Sequence, residues 1–175
     1  MDLVSVLTPQ DENFALIQPW MLTILAQGRK PRWQFESRKL LLPLATTLPT
    51  PRTKPIPLRP AQAKTIFNLW PYAKLTTLEY TLDRITRGQS AAVFVDNSPV
   101  AWAITHDDGA IGFLYVREAY RGKGYAMDVT VSIVQQLRSH DKPGFVHIDS
   151  NNHKSLALAK KLGFEERGSV IWVGY

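Results

Sequence analysis

The alternation of apolar and polar residues divides this chain of 175 residues into an irregular N-terminal stretch and a regular remainder. In the first part Phe14, Ile17, Met21, Ile24 and Leu25 recur at helical spacing. Thr8-Pro9-Gln10-Asp11-Glu12 has the marks of a helix start: an N-cap, a proline at the first helical position, and acids at the positive end of the dipole. Pro19 interrupts this stretch, so two short helices or one kinked helix are predicted, ending at Gly28. The prolines crowded between Pro43 and Pro60 forbid a continuous helix or central strand and predict a linker or an extended edge segment.

From Pro60 the pattern becomes regular. Helices are predicted from Pro60 to about Trp70 and from Thr77 to Thr86, the second stopped by Gly88. Strand-like runs follow at Ala91–Asp96, Val100–Thr105 and Ile111–Val116. The short polar connections Asn97-Ser98-Pro99 and His106-Asp107-Asp108-Gly109 make them an antiparallel meander. A helix with Ala126, Val129, Ile133, Val134 and Leu137 on one face runs to about His140, and Phe145–Asp149 forms a strand. Asn152 caps a helix that reaches Leu162 and stops at Gly163, and Val170–Val173 forms the last strand. The order from Ile56 is βααβββαβαβ. It predicts an α/β (α+β) domain over residues 56–175, preceded by a helical N-terminal segment and Pro-rich linker over residues 1–55.

Composition narrows what this domain can do. With 45% hydrophobic and 21% charged residues it is globular. The absence of cysteine excludes a disulfide scaffold, a thiolate metal site and a cysteine acyl-enzyme. No His/Asp/Glu spacing suggests a metal site. The net charge of +6 favours anionic partners, and its excess is mostly N-terminal. There Arg29-Lys30-Pro31-Arg32-Trp33 and Arg38-Lys39 read as a solvated surface in preference to a basic arm for nucleic acid. Met1-Asp2-Leu3-Val4 lacks the basic start of a secretory signal, and no uncharged run approaches the roughly 20 residues of a membrane helix. A cytoplasmic protein with no membrane partner is expected.

Arg121-Gly122-Lys123-Gly124-Tyr125-Ala126 stands between a predicted strand and a predicted helix. Unpaired backbone N–H groups and the helix dipole make such a turn an anion site, which glycines let a phosphate approach closely. A turn that needs glycine only for its geometry is the plainer alternative. Neither the phosphate-loop pattern nor the full dinucleotide fingerprint is present, since Met127 occupies the third glycine position.

The same six residues resemble the Arg/Gln-x-x-Gly-x-Gly/Ala motif of the GNAT N-acetyltransferase superfamily. Asn152 through Gly163-Phe164 resembles that family's second motif, and Leu114-Tyr115-Val116 its coenzyme-contacting strand. A narrower similarity, to the glycine N-acyltransferase-like branch, rests on Trp70 with Tyr72, Pro99 with Trp102, Asp108-Gly109 and Tyr120 through Gly124. The resemblance implies a mixed, mostly antiparallel sheet with helices on both faces, splayed between the coenzyme-contacting strand and the next. It implies acetyl-CoA or another acyl-CoA as co-substrate, and a small-molecule or peptide amine as acceptor. Arg121, Gly122, Lys123, Gly124, Tyr125 and Ala126 would hold the pyrophosphate, with Asn152 also on the coenzyme side. Leu114, Tyr115 and Val116 would bond the pantetheine arm, and the Val116 N–H would polarise the thioester carbonyl.

Two departures from the family pattern concern proton transfer. Its frequent general-acid tyrosine falls at Ala159, and its frequent carboxylate falls near Ala110 or Gly112. A coenzyme thiolate leaves readily, because thiols have pKa values of about 8.5, so a missing acid is tolerable. A missing base is not explained by that argument. His147 and Asp149 share one face of their strand and are the candidate catalytic pair. Asp107 and Asp108 read as turn formers. Trp70-Pro71-Tyr72 lies where the family's acceptor groove begins. An acyl-CoA-binding sensor without catalysis is the alternative function, and residues 1–55 could supply part of the acceptor site or a homodimer contact.

Overall fold

The computed structural model describes residues 7–175 apart from Pro9. The meander forms because three β-rich runs are separated by tight polar turns. β3 (Ser90–Val95), β4 (Ser98–Thr105) and β5 (Ile111–Val116) make an antiparallel sheet in that order. Ile56 bridges to Ala92 at its edge, with both backbone bonds formed, so part of the proline-rich stretch is an extended edge segment. Helices α2 (Ala63–Leu69) and α3 (Leu78–Arg87) cover one face, where Ile66 and Ile85 pack with Trp102, Ile104 and Phe113. Helix α4 (Tyr125–Arg138) covers the other face through Val129, Ile133, Val134 and Leu137.

The second sheet contains a strand that the hydrophobic pattern does not announce. β2 (Trp33–Leu42) lies between β6 (Gly144–Asp149) and β7 (Glu165–Gly174), antiparallel to both. β1 (Asn13–Ile17) adds to the outer edge of β7. The sheet order is therefore β1-β7-β2-β6. Helix α5 (His153–Leu162) joins α4 on one face through Ala159 and Leu162, beside Leu40, Leu42, Val146 and Ile148. The fold is mixed α/β with mostly antiparallel strands and helices on both faces, as expected.

The N-terminal reading requires correction. Residues 13–17 form a strand where helix is expected, and only α1 (Met21–Ala26) is helical. The edge of β7 offers Phe14 and Ile17 backbone partners and a cluster with Leu25, Ile171 and Val173, which outweighs their helical spacing. Asp11 accepts from the Thr8 N–H and hydroxyl, closing a turn in place of a helix start. Residues 1–6 and Pro9 lie outside the described residues, as do the readings placed on them. The basic stretch is not a free arm: Arg32 pairs with Glu12, Arg38 with Glu166, and both flank or belong to β2.

The proline-rich segment is tied to the start of α4 by Asp128, 1% exposed. Its carboxylate accepts from the Arg52 N–H at 3.1 Å, the Thr53 N–H at 3.0 Å and the Thr53 hydroxyl at 2.7 Å. Asp128→Ala leaves two backbone donors without acceptors and is expected to cost about 3 kcal/mol. A thermal melt should then drop by roughly 6–12 °C. An unchanged melting temperature would mean that the tie carries no stability.

Candidate functional site

β5 and β6 lie side by side but share no hydrogen-bonded ladder, so the two sheets part between them. β5 is bulged there. Trp102 pairs with Tyr115 and Ile104 with Gly112, which puts one extra residue on β5, and Phe113 adopts φ 47°. The bulge places Gly112 and Phe113 on the same face. Phe113 and Tyr115 pack on the α2/α3 side, whereas Leu114 and Val116 pack toward α4. The Arg117 N–H donates to the Val100 carbonyl of β4, so by strand alternation the Val116 N–H points away from β4, into the gap. The Val116 carbonyl accepts from Arg121 Nε at 3.2 Å.

The glycine turn forms as the sequence requires. Gly122 and Gly124 have φ of 77° and 87°, which side chains resist, and Gly124 is the N-cap of α4. Its amides open beside a cavity of about 330 Å³ lined by Val116, Tyr120, Arg121, Gly122, Tyr125 and Lys154, among others. The cationic side chains of the turn fold back: Lys123 lies 5.2 Å over the Tyr120 ring and Arg121 pairs with Glu118. Two further cations come close that the local sequence does not mark. Lys154 lines the cavity, and the Arg52 side chain lies 3.8 Å from where a Gly124 Cβ would stand. Asn152 caps α5 by accepting from the Ser155 N–H at 3.1 Å. A buried polyphosphate-bearing ligand would thus meet backbone donors first and side-chain charge second.

Phe145, His147 and Asp149 share a face of β6, opposite Val146 and Ile148, which pack toward α4. His147 and Asp149 do not bond each other. Asp149 accepts from the Asn151 N–H at 2.8 Å and closes the strand end. His147 Nε2 lies 3.1 Å from Asp108 Oδ2, across the gap between the sheets. Asp108 also accepts from the Ala110 N–H at 2.8 Å, so it forms the turn and holds the imidazole. Burial alone would raise its carboxyl, but the hydrogen bonds from His147 and Ala110 outweigh this and hold it below its ordinary value. It is therefore ionised near neutral pH and accepts a hydrogen bond from Nε2–H, which in the neutral ring leaves the lone pair on Nδ1. That nitrogen is enclosed and has no partner among the described residues. Phe145 and Trp172 flank the ring at 5.6 and 5.8 Å.

The same face carries aromatic walls. Trp70 stacks on Phe113 at 5.1 Å, and Tyr72, 52% exposed, meets Trp70 edge-on. Phe35 and Trp172 stand together across β2 and β7. Lys39, opposite His147 in register, reaches over the Phe145 ring at 5.7 Å. Ala159, by contrast, is buried against the α4 side and offers no proton.

His106, which no sequence motif singles out, completes the cluster. Burial pushes its imidazole below the ordinary value; Asp108 and Asp107 oppose this, while His147 and Arg84 add to it. The unfolded chain therefore binds a proton at His106 more readily than the folded one. Stability from this group is present above about pH 6.5 and is lost as pH falls toward its lower folded value. The melting temperature of the native protein should fall from pH 7 to pH 5.5, by more than that of His106→Gln. Equal falls would assign the effect elsewhere.

Comparison with known proteins agrees with this architecture. A family model described as FR47-like protein matches residues 95–173. No curated protein sequence matches. A Drosophila protein of known structure is similar with a TM-score of 0.81 at 16% identity, over 93% of this chain and 59% of its own. A protein from Novosphingobium aromaticivorans described as an acetyltransferase from the GNAT family matches with a TM-score of 0.67 at 15% identity, over 95% of this chain and 68% of its own. A GNAT-family acetyltransferase from Colwellia psychrerythraea gives 0.66 at 12% identity, over 93% and 64%. The chain thus spans about three fifths to two thirds of the length of these proteins. The fold is that of the GNAT acetyltransferases. The likeness is one of fold, and none of these comparisons singles out the glycine N-acyltransferase-like branch. Among the described residues no helix is long and apolar enough to cross a membrane.

Proposed function

We propose that this chain is an acyl-CoA-dependent N-acyltransferase that moves an acyl group, acetyl first among candidates, from coenzyme A to an amine by direct attack. The observation that carries the reading is one gap with different chemistry on its two sides. The anion-binding turn of residues 121–126 lies at one end of the bulged strand. On the other side lie an ionised carboxylate and the imidazole it holds, whose unbonded nitrogen is enclosed by its neighbours.

Backbone N–H groups of Gly122 to Ala126 hold the pyrophosphate, supported by Lys154 and Arg52. The free edge of β5 at Leu114, Tyr115 and Val116 receives the pantetheine arm as an added strand. The Val116 N–H then stabilises charge on the thioester oxygen. The acceptor amine lies on the aromatic face, where His147 removes a proton at Nδ1 once the Phe145 and Trp172 rings beside it give way, and Asp108 keeps its imidazole in the required tautomer. Asp149 bounds the site at the end of β6. The coenzyme leaves as a thiolate that needs no strong acid, consistent with Ala159 in the core.

Isothermal titration of the folded protein with coenzyme A tests this reading at its base. Saturable binding that weakens when acetyl-CoA is already present is expected. No heat of binding from properly folded protein would overturn it.

A further inference from the structure

Amine acylation releases two protons from the nitrogen, whereas His147 accounts for one. An alkyl ammonium must lose a proton before it can attack, since free alkyl amines have pKa values near 10. After attack, the positively charged nitrogen of the tetrahedral adduct must lose a second. We propose that His106 is a second catalytic residue, accepting at Nε2 the first proton of the incoming ammonium, while His147 accepts the later one at Nδ1. The inference rests on the acyl transfer proposed above.

Three features of the structure point to it. The His106 imidazole occupies the space that a side chain at position 112 would fill: a Cβ on Gly112 would stand 2.1 Å from Nε2 and 2.3 Å from Cδ2. The β5 bulge turns position 112 toward the acceptor face, so the ring lies on that face of the gap, 4.9 Å from Phe113. The tautomer is also set. Tyr80 donates its one hydroxyl proton to Asp107 Oδ1 at 3.0 Å, and burial pushes this phenol up to about 12, so the proton stays. The 3.2 Å contact between the Tyr80 oxygen and His106 Nδ1 is then a bond donated by Nδ1, which leaves the lone pair on Nε2. Among the described residues Nε2 has no hydrogen-bond partner.

The groups that face His106 suit the arrival of a cation. Asp107 and Asp108 come from its own turn, Tyr80 and Arg84 from α3, and His147 from β6. The two carboxylates favour an ammonium at the ring, and burial keeps the ring neutral and able to accept near neutral pH. The balance is then complete: the nitrogen loses one proton to each imidazole, the carbon–nitrogen bond forms in the adduct, and the carbon–sulfur bond breaks as the adduct collapses and the thiolate departs. One proton goes on to the thiolate and the other to solvent.

The test compares the pH dependence of kcat/KM for a primary amine in wild type, His106→Gln and Gly112→Ala, with folding checked by circular dichroism. Wild-type kcat/KM should level off once its imidazoles are neutral, whereas in His106→Gln, which must take the amine already deprotonated, it should keep rising with unit slope toward the amine's own pKa near 10. That variant should also lose on the order of 10²-fold in kcat with the KM for acetyl-CoA unchanged. Gly112→Ala, which must displace the ring, should behave alike. A kcat/KM profile that levels off as in wild type, with unchanged kcat, in a folded His106→Gln would overturn the proposal while leaving His147 in place. ¹⁵N NMR of the wild-type imidazoles gives a readout independent of activity: an Nδ1–H tautomer at His106 is expected, and an Nε2–H tautomer would overturn the assignment. Complete absence of acyl transfer by wild type would instead strike the function proposed above.

Discussion

His147→Gln is expected to lower kcat by about 10²- to 10⁴-fold, the usual contribution of a positioned base, while leaving coenzyme A binding intact. A glutamine amide can still donate to Asp108 from near the place of Nε2, so packing and the turn survive. What it cannot do is accept a proton. Asp108→Asn separates orientation from proton transfer. Its amide group would present a donor to Nε2, favour the Nδ1–H tautomer, and so move the lone pair to Nε2, where the amide occupies it, even though the oxygen could still accept from the Ala110 N–H. Steady-state kinetics with one amine, together with titration of coenzyme A, distinguish these outcomes. A wild-type rate in His147→Gln would remove this residue from the chemistry.

Gly124→Val should act on the other substrate. Gly124 has φ of 87°, a conformation that a β-branched residue adopts only with strain. A left-handed backbone costs a non-glycine residue roughly 1–2 kcal/mol, and a distorted turn loses the convergent N–H groups as well. Coenzyme A affinity is therefore expected to weaken at least about tenfold, since 1.4 kcal/mol is a factor of ten. Because the new Cβ would meet Arg52 only at ordinary contact distance, the fold should persist. Unchanged affinity in a folded variant would place the coenzyme elsewhere.

How far the sequence discloses this site depends on how local each feature is. The glycine turn and α4 are readable because their glycines, their periodic apolar face and their chain order lie within about one motif. The splay is readable only through a resemblance, since it depends on the absence of a ladder between β5 and β6. β2 is not readable. Trp33–Leu42 carries Arg38 and Lys39 amid alternating residues, and only its two neighbours in space, β6 and β7, make it a central strand.

The groups proposed for proton transfer show the same limit. His147 is visible on its strand, but strand alternation points to Asp149 as its partner. The carboxylate that binds it comes instead from a turn 39 residues earlier. Asp108 looks like a turn former because it is one, and the second role of its other oxygen is tertiary. His106 is hidden for a different reason. Its significance comes from the empty side of Gly112 and from a bulge at Phe113, neither of which has a local signature. Arg52 likewise gains its place through Asp128, which is remote in sequence and buried at the helix start.

The decisive measurement is amine-dependent release of coenzyme A thiol from acetyl-CoA, followed with a thiol reagent across a panel of amino acids, arylalkylamines and peptide N-termini. At least one amine should raise thiol release far above the rate without amine, and His147→Gln should abolish that increment. Tight binding of acetyl-CoA with no amine raising the rate would contradict acyl transfer and leave an acyl-CoA-binding sensor in its place.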